Sequence, residues 1–73
     1  MNWYKSKKTL YETLLGKKGR VTVEVNNFAG RGQISLFGES WACRALYDED
    51  LYLVGEKLVV VGVEGVKLVC KKP

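Results

Sequence analysis

The sequence predicts an all-β domain, a small barrel of five short antiparallel strands with a short helical turn between strands three and four. Three observations carry this prediction. Apolar and polar residues alternate over residues 19–26, residues 31–46 have the pattern of a β-hairpin, and two aliphatic runs follow near the C-terminus. Glycine-containing turns separate these segments. Short strands at close spacing are typical of a closed barrel or a sandwich.

The length and charge of the chain limit its possible functions. Its 73 residues suffice for one domain with one modest core. Lysine and arginine exceed aspartate and glutamate by 12 to 8, which is less than the basic excess of a dedicated nucleic-acid binder. No run approaches the ~18 apolar residues of a membrane span. We therefore expect this chain alone to be soluble.

Residues 1–15 are polar and basic, and they predict a flexible segment in front of the barrel. Leu14 lies in a part of this segment that could form a helical turn packed on the barrel. Trp3 and Tyr4 lie beside lysines, a combination found at the membrane–water interface just outside a span. A disordered, solubilising terminus is the alternative. We divide the chain into a basic juxtamembrane linker at residues 1–15 and a folded domain at residues 16–73.

The first strand is expected at residues 19–26, where Val21, Val23 and Val25 alternate with polar residues. Residues 31–46 then predict a hairpin with Gly38 in the turn. Glycine at the first central position favours a type II′ turn with Glu39 second. In this register one face of the hairpin is apolar and the other mostly polar. The expected pairs are Leu36 with Trp41, Ile34 with Cys43 and Gly32 with Ala45 on the apolar face, and Phe37 with Ser40, Ser35 with Ala42 and Gln33 with Arg44 on the other.

The acidic run at residues 48–50 predicts the helical turn, because acidic side chains favour a helix N-terminus. The fourth and fifth strands follow at residues 58–63 and 66–70. In the fourth strand the residues that point to either face are apolar. Either both faces are covered, or Gly62 marks a bulge. We expect the bulge. The side chains predicted to share the core are Leu58, Val60, Leu68 and Cys70.

This order of elements predicts an OB-fold, which has five strands with its helix between the third and the fourth. An SH3-like barrel is the alternative topology.

Cys43 and Cys70 both fall at inward positions of their strands. They are expected to be small buried hydrophobes in a reducing compartment, and a disulfide is the alternative. Whether the two thiols are close in space stays open. The chain has no histidine, and two thiolates alone make an incomplete zinc site. We expect no metal and no cofactor.

Catalysis is not expected. General acid–base chemistry needs a carboxylate or histidine with a shifted pKa in a pocket. The carboxylates at residues 48–50 are consecutive and expected to be exposed. A domain of this size also leaves little room for a cleft that could bind a small molecule.

Single-stranded nucleic acid is the common ligand of OB-folds, bound on the face of strands two and three. Here that face offers Arg31, Phe37 and Arg44, with one aromatic side chain where stacking proteins use several. Nucleic-acid binding is therefore kept as the alternative function. Aromatic side chains in loops are better suited to protein contacts. The candidate partner contacts are Phe28, Arg31, Phe37, Arg44 and Tyr52.

Several short pieces of the chain, spread from about residue 14 to residue 71, match one family in order and spacing. The pieces are Leu15-Gly16-Lys17-Lys18-Gly19, Gly32-Gln33-Ile34, Gly38-Glu39-Ser40-Trp41-Ala42-Cys43, Val54-Gly55-Glu56-Lys57-Leu58-Val59-Val60 and Val63-Glu64-Gly65-Val66-Lys67-Leu68-Val69-Cys70. Together they resemble the C-terminal domain of the NfeD-like family. In that family the position of Cys43 usually carries alanine, and valine is common at that of Cys70.

The resemblance implies a five-stranded OB-fold domain that follows transmembrane helices. It also implies partners of the stomatin, flotillin or prohibitin type, because genes of the family commonly accompany those membrane scaffold proteins. Longer members carry a serine protease domain, which this chain is too short to hold. The expected function is a non-catalytic interaction module, attached to the membrane through segments outside this chain. The lysine-rich linker places it on the cytoplasmic face by the positive-inside rule.

Overall fold

A computed structural model describes residues 11–73 as one six-stranded sheet that closes on itself. Residues 11–14 form a helical turn, and Leu14 is fully buried. Expectations for Trp3, Tyr4 and the lysines around them lie outside the described residues. Within the described part, no helix has the length and apolar character needed to cross a bilayer. The strands are β1 Lys18–Asn26, β2 Arg31–Leu36, β3 Glu39–Ala45, β4 Leu51–Tyr52, β5 Lys57–Glu64 and β6 Lys67–Lys71.

The strands follow the order β2-β3-β6-β5-β1-β4, and a further β1–β2 pairing closes the barrel. Apart from the two-residue β4, this is a five-stranded barrel, which confirms the predicted fold class. One detail of that prediction is wrong, because β3 and β6 run parallel. The chain reverses once between β3 and β5 and again between β5 and β6. Two reversals return β6 to the direction of β3.

The helical turn expected after the third strand is also absent from the described chain. Residues 47–50 form a single turn in which the Asp50 N–H donates to the Tyr47 carbonyl at 3.0 Å. The acidic side chains bond elsewhere, Asp48 to Asn27 and Asp50 to the Tyr52 hydroxyl. The chain then enters β4 at once, which leaves too few residues for a helix.

The β2–β3 hairpin turns at Phe37 and Gly38, one residue earlier than predicted. Their φ angles are 52° and 77°, and two positive values define a type I′ turn rather than type II′. Ile34 now pairs with Trp41, so the register is shifted by two residues. An even shift keeps each side chain on its expected face. The shift follows from the position of the turn, because moving a two-residue loop by one residue changes every pair by two. Residues 43–45 continue beyond the hairpin and pair with β6.

Bulges explain where the simple alternation of the strands fails. The pairing of β5 with β6 shifts between Val60 and Gly62, which confirms the predicted bulge. In β1 the pairing with β2 shifts on both sides of Val23. Val23 is consequently exposed, although Val21 and Val25 on the same strand are buried. A bulge adds a residue to one strand and bends it.

The core lies inside the barrel and contains the four side chains predicted from the last two strands. Trp41, expected in the core, is only half-buried and packs at its edge against Tyr11, with ring centroids 6.1 Å apart. The buried cluster comprises Leu14, Val21, Val25, Ile34, Leu36, Cys43, Ala45, Tyr52, Leu58, Val60, Leu68 and Cys70.

Candidate interaction surface

A groove of about 210 Å³ opens between the β1–β2 loop and the β5–β6 turn. It lies at the loops and strands that OB-folds use to bind ligands. Two of the expected contact residues, Arg31 and Arg44, are brought together in its lining. The lining residues are Asn27, Gly30, Arg31, Cys43, Arg44, Asp48, Glu64 and Lys67.

Asn27 fixes one wall of this groove. Its Nδ2 donates to the Ala45 carbonyl at 2.9 Å, and its Oδ1 accepts from the Ala45 N–H at 2.9 Å. Nδ2 also lies 2.9 Å from Oδ1 of Asp48. Asn26 holds the loop from the other side, because its Oδ1 accepts from the Ala29 N–H. The pairing of β1 with β2 ends at Asn26. Beyond it, hydrogen bonds from two asparagine side chains hold the loop in place of strand pairing.

The arginines of the groove are already paired with carboxylates of the same chain. Arg44 contacts Asp48 at 2.9 Å and Glu64 at 3.2 Å, and Arg31 contacts Glu24 at 3.2 Å. The Asn27 amide, followed by the Arg44 guanidinium, holds the pKa of Asp48 below its usual range. The carboxylates beside these arginines oppose the approach of a phosphate backbone. Such a surface is poorly suited to nucleic acid, which binds where basic charge is unpaired.

Phe28 and Phe37 are the most exposed aromatic side chains of the described chain, at 82% and 73%. Phe28 lies in the loop before β2 and Phe37 in the turn after it. The six residues of β2 separate them by roughly 20 Å. The structure therefore places them beyond opposite ends of β2. An interface of standard size, roughly 800 Å² per partner, can cover that distance.

Tyr52 was expected to contact a partner, and the structure contradicts this. Its side chain is only 3% exposed, because β4 pairs with β1 and sets Tyr52 opposite Val25. The hydroxyl donates to Asp50 Oδ2 at 2.8 Å. Burial, followed by this hydrogen bond, raises the pKa of Tyr52 to about 12. Tyr52 is a core residue with a satisfied hydroxyl.

Val66 is an exposed residue that the sequence reasoning placed in a strand. Glu64 and Lys67 pair across the β5–β6 turn, so Val66 shares the turn with Gly65. Its side chain is 70% exposed, and Glu64 and Lys67, the residues that flank the turn, line the groove. The strands expected at residues 58–63 and 66–70 put the turn at Glu64 and Gly65, and the observed turn lies one residue later.

Comparison with known proteins gives one family and a consistent fold. The family described as NfeD-like C-terminal, partner-binding domain matches residues 11–72. A soluble domain of a Corynebacterium glutamicum membrane protein implicated in regulation of membrane protease activity is similar, with 26% identity over 84% of this chain and 94% of that chain, and a TM-score of 0.76. The C-terminal domain of stomatin operon partner protein 1510-C from Pyrococcus horikoshii has 30% identity over 86% of this chain and 92% of that chain, with a TM-score of 0.75. No curated protein matches the sequence at a significant level.

Proposed function

Because this chain belongs to the NfeD-like family, described as a partner-binding domain, we propose that it is a non-catalytic module that binds or helps organise a stomatin- or flotillin-type membrane scaffold protein. The Pyrococcus horikoshii relative is a stomatin operon partner protein, which supports this class of partner. A prohibitin-type scaffold belongs to the same class of partner. The proposal needs no cofactor, metal or small-molecule ligand.

We place the domain at the cytoplasmic face of a membrane, attached through segments outside this chain. The Corynebacterium glutamicum relative is a soluble domain of a membrane protein, which supports attachment. Lysines in residues 1–15 support the cytoplasmic side by the positive-inside rule. The free thiols of Cys43 and Cys70 are compatible with a reducing compartment.

The conformation of Phe37 is the observation that carries the proposal of a binding surface. Phe37 is the one described non-glycine residue with positive φ. A bulky side chain is strained there, whereas asparagine or glycine is accepted readily. The side chain also gains little from burial, since it is 73% exposed. A residue that holds an unfavourable backbone conformation, and whose side chain does not stabilise the fold in return, is a candidate functional residue.

The proposed contact surface is the outer face of the β2–β3 hairpin from one end to the other. Phe37 occupies the far end, and Phe28, Arg31 and Arg44 lie at the groove end. Exposed aromatic and arginine side chains are the residues that most often dominate protein interfaces. The ion pairs of Arg44 hold its side chain in place, so that less rotamer entropy is lost when a partner binds.

An affinity purification from native membranes tests this proposal. The full-length protein, kept in its membrane, is tagged and isolated with its neighbours under mild detergent. We expect enrichment of a stomatin- or flotillin-type scaffold over a tagged membrane protein of unrelated fold. Absence of any such scaffold, with DNA or RNA in the eluate, would contradict the proposal and favour the nucleic-acid alternative.

A further inference from the structure

Four basic side chains share the outer face of three neighbouring strands. The register sets Lys18 of β1 and Lys71 of β6 on either side of Val59 in β5. It also sets Arg20 of β1 directly opposite Lys57 of β5. The four basic residues are exposed, and the residues next to them inside each strand are buried, so they point away from the core. We call these four side chains the basic face.

The positive charge of the basic face is not neutralised within the described chain. Among residues 11–73 none of its four side chains is in an ion pair, whereas Arg31, Arg44 and Lys72 each contact a carboxylate. Arg20 donates a hydrogen bond to a neutral group, a backbone carbonyl at 3.0 Å. Like charges directly opposite each other, as Arg20 and Lys57 are, destabilise a sheet. This arrangement costs stability within the sheet, which points to a ligand of opposite charge.

The N-terminal segment joins the barrel beside the basic face. The Gly16 N–H donates to the Val60 carbonyl at 2.8 Å, and the Val60 N–H donates to the Lys17 carbonyl at 2.9 Å. β1 begins at the next residue, Lys18. Residues 1–15 contain three further lysines and form the linker for which membrane attachment is proposed above. A membrane reached through that linker lies nearest to this side of the barrel.

We propose that the basic face docks the domain onto an anionic lipid surface, where its four side chains contact headgroup phosphates and carboxylates. The proposal rests on the proposed membrane attachment, and it involves none of the residues proposed to contact a scaffold protein. Each lysine or arginine near an anionic bilayer strengthens binding by about fivefold, and salt screens the effect. Attachment through the linker raises the effective concentration of lipid, so that a weak contact suffices.

The composition of the basic face favours lipid over nucleic acid. Its central residue is Val59, and none of its members is aromatic. Proteins that bind single strands combine a basic groove with aromatic side chains on which the bases stack. Headgroups need only the positive charge, because their phosphates and carboxylates lie at the surface of the bilayer.

Sedimentation of the full 73-residue chain with vesicles tests the docking. The vesicles are phosphatidylcholine with about one third phosphatidylserine, and pure phosphatidylcholine is the reference. We expect binding to the anionic vesicles only, and loss of that binding as salt is raised. Lys71→Gln should weaken the affinity about fivefold, and the Lys57→Gln, Lys71→Gln double variant about 25-fold. Lys67→Gln is the matched control, because Lys67 begins the same strand opposite Glu64, and its affinity should stay within about twofold.

Two results would overturn the docking. One is binding of the double variant to anionic vesicles as tightly as the unchanged protein, because the N-terminal lysines would then carry the interaction. The other is absence of binding to the anionic vesicles. An oligonucleotide that the unchanged protein retains and the double variant releases would then assign the face to nucleic acid.

The assay separates this docking from folding and from the proposed scaffold interaction. The replaced side chains are at exposed strand positions, and thermal unfolding before the assay verifies that each variant is folded. The assay contains no scaffold protein. Failure of vesicle binding therefore leaves the scaffold interaction to its own test, and failure of that interaction leaves the vesicle result unchanged.

Discussion

Asn27 and the backbone of Ala45 are joined by two reciprocal hydrogen bonds of 2.9 Å each. This contact connects the β1–β2 loop to the end of β3, at the residue where β3 is paired with β6 instead of β2. It satisfies both polar groups of a buried residue, and the same amide also contacts Asp48. One side chain therefore joins the groove wall to the end of β3.

Replacing Asn27 with alanine should destabilise the barrel by about 2 kcal/mol, because the Ala45 N–H and C=O lose their partner in a part-buried position. Urea unfolding followed by tryptophan fluorescence measures the change. Thr22→Ala, at an exposed position of β1, is the control and should change stability by less than about 0.5 kcal/mol. Equal stability of the two variants would show that water replaces the amide without loss.

Replacing Phe37 with asparagine should stabilise the protein by about 0.5–1 kcal/mol. Asn-Gly is the preferred type I′ pair, and the lost phenyl ring is mostly exposed. Phe28→Asn is the matched control, because Phe28 is also mostly exposed but does not have positive φ. Its stability should stay within about 0.5 kcal/mol of the unchanged protein. A loss of stability in Phe37→Asn would mean that the ring packs on its own hairpin.

Adding a methyl group at Gly32 should destabilise the protein by about 1–3 kcal/mol. A Cβ there would lie 2.6 Å from the Cys43 carbonyl oxygen, which is backbone and cannot move aside freely. Gly62→Ala is the control, since its Cβ would meet only Val69 at 3.8 Å. Thermal unfolding of the two variants compares them directly. Similar midpoints would show that β2 and β3 separate easily at Gly32.

Tyr52 should make stability fall at high pH. Its pKa in the folded protein is about 12, above the value of about 10 in an unfolded chain. A raised folded pKa contributes stability that is complete below pH ~10 and is lost as pH rises toward about 12. The free energy of unfolding should therefore fall by about 2 kcal/mol more in the unchanged protein than in Tyr52→Phe across this range. Urea titrations at each pH measure this free energy. An equal fall in the two proteins would contradict the burial of the phenol.

Local patterns in the sequence predict five of the six strands and most of the core, whereas β4 was not predicted. Before Gly62 the residues that point to either face of the strand are apolar. This pattern predicted a bulge, and the bulge is present. The expected hairpin register was wrong because the turn begins at Phe37, a bulky residue with positive φ that turn preferences do not favour. The extent of the hairpin was also not predictable. Residues 43–45 leave β2 for β6, which no pattern within the hairpin indicates.

The candidate site was less predictable for the same reason. Tyr52 lies in a polar, turn-rich stretch, and only its pairing with Val25 on β1 buries it. Arg44 and Asp48 are four residues apart, so their contact could be anticipated from the sequence. Glu64 is 20 residues from Arg44, and the two meet only because the barrel brings their strands together. Cys43 and Cys70 come to lie on neighbouring strands because β3 and β6 pair in parallel. Contacts between residues far apart in sequence can be predicted only when the order and direction of the strands are known.

The most direct test of the proposed function is the affinity of this domain for the purified stomatin- or flotillin-type scaffold of the same cell. Phe37→Asn should weaken that affinity by roughly tenfold or more, the effect of removing an aromatic hot spot, while the domain itself becomes more stable. Val54→Ala, 66% exposed in the turn before β5, should bind normally. Because the first variant is more stable, unfolding cannot explain its loss of binding. Equal affinity of Phe37→Asn and the unchanged protein would contradict the account.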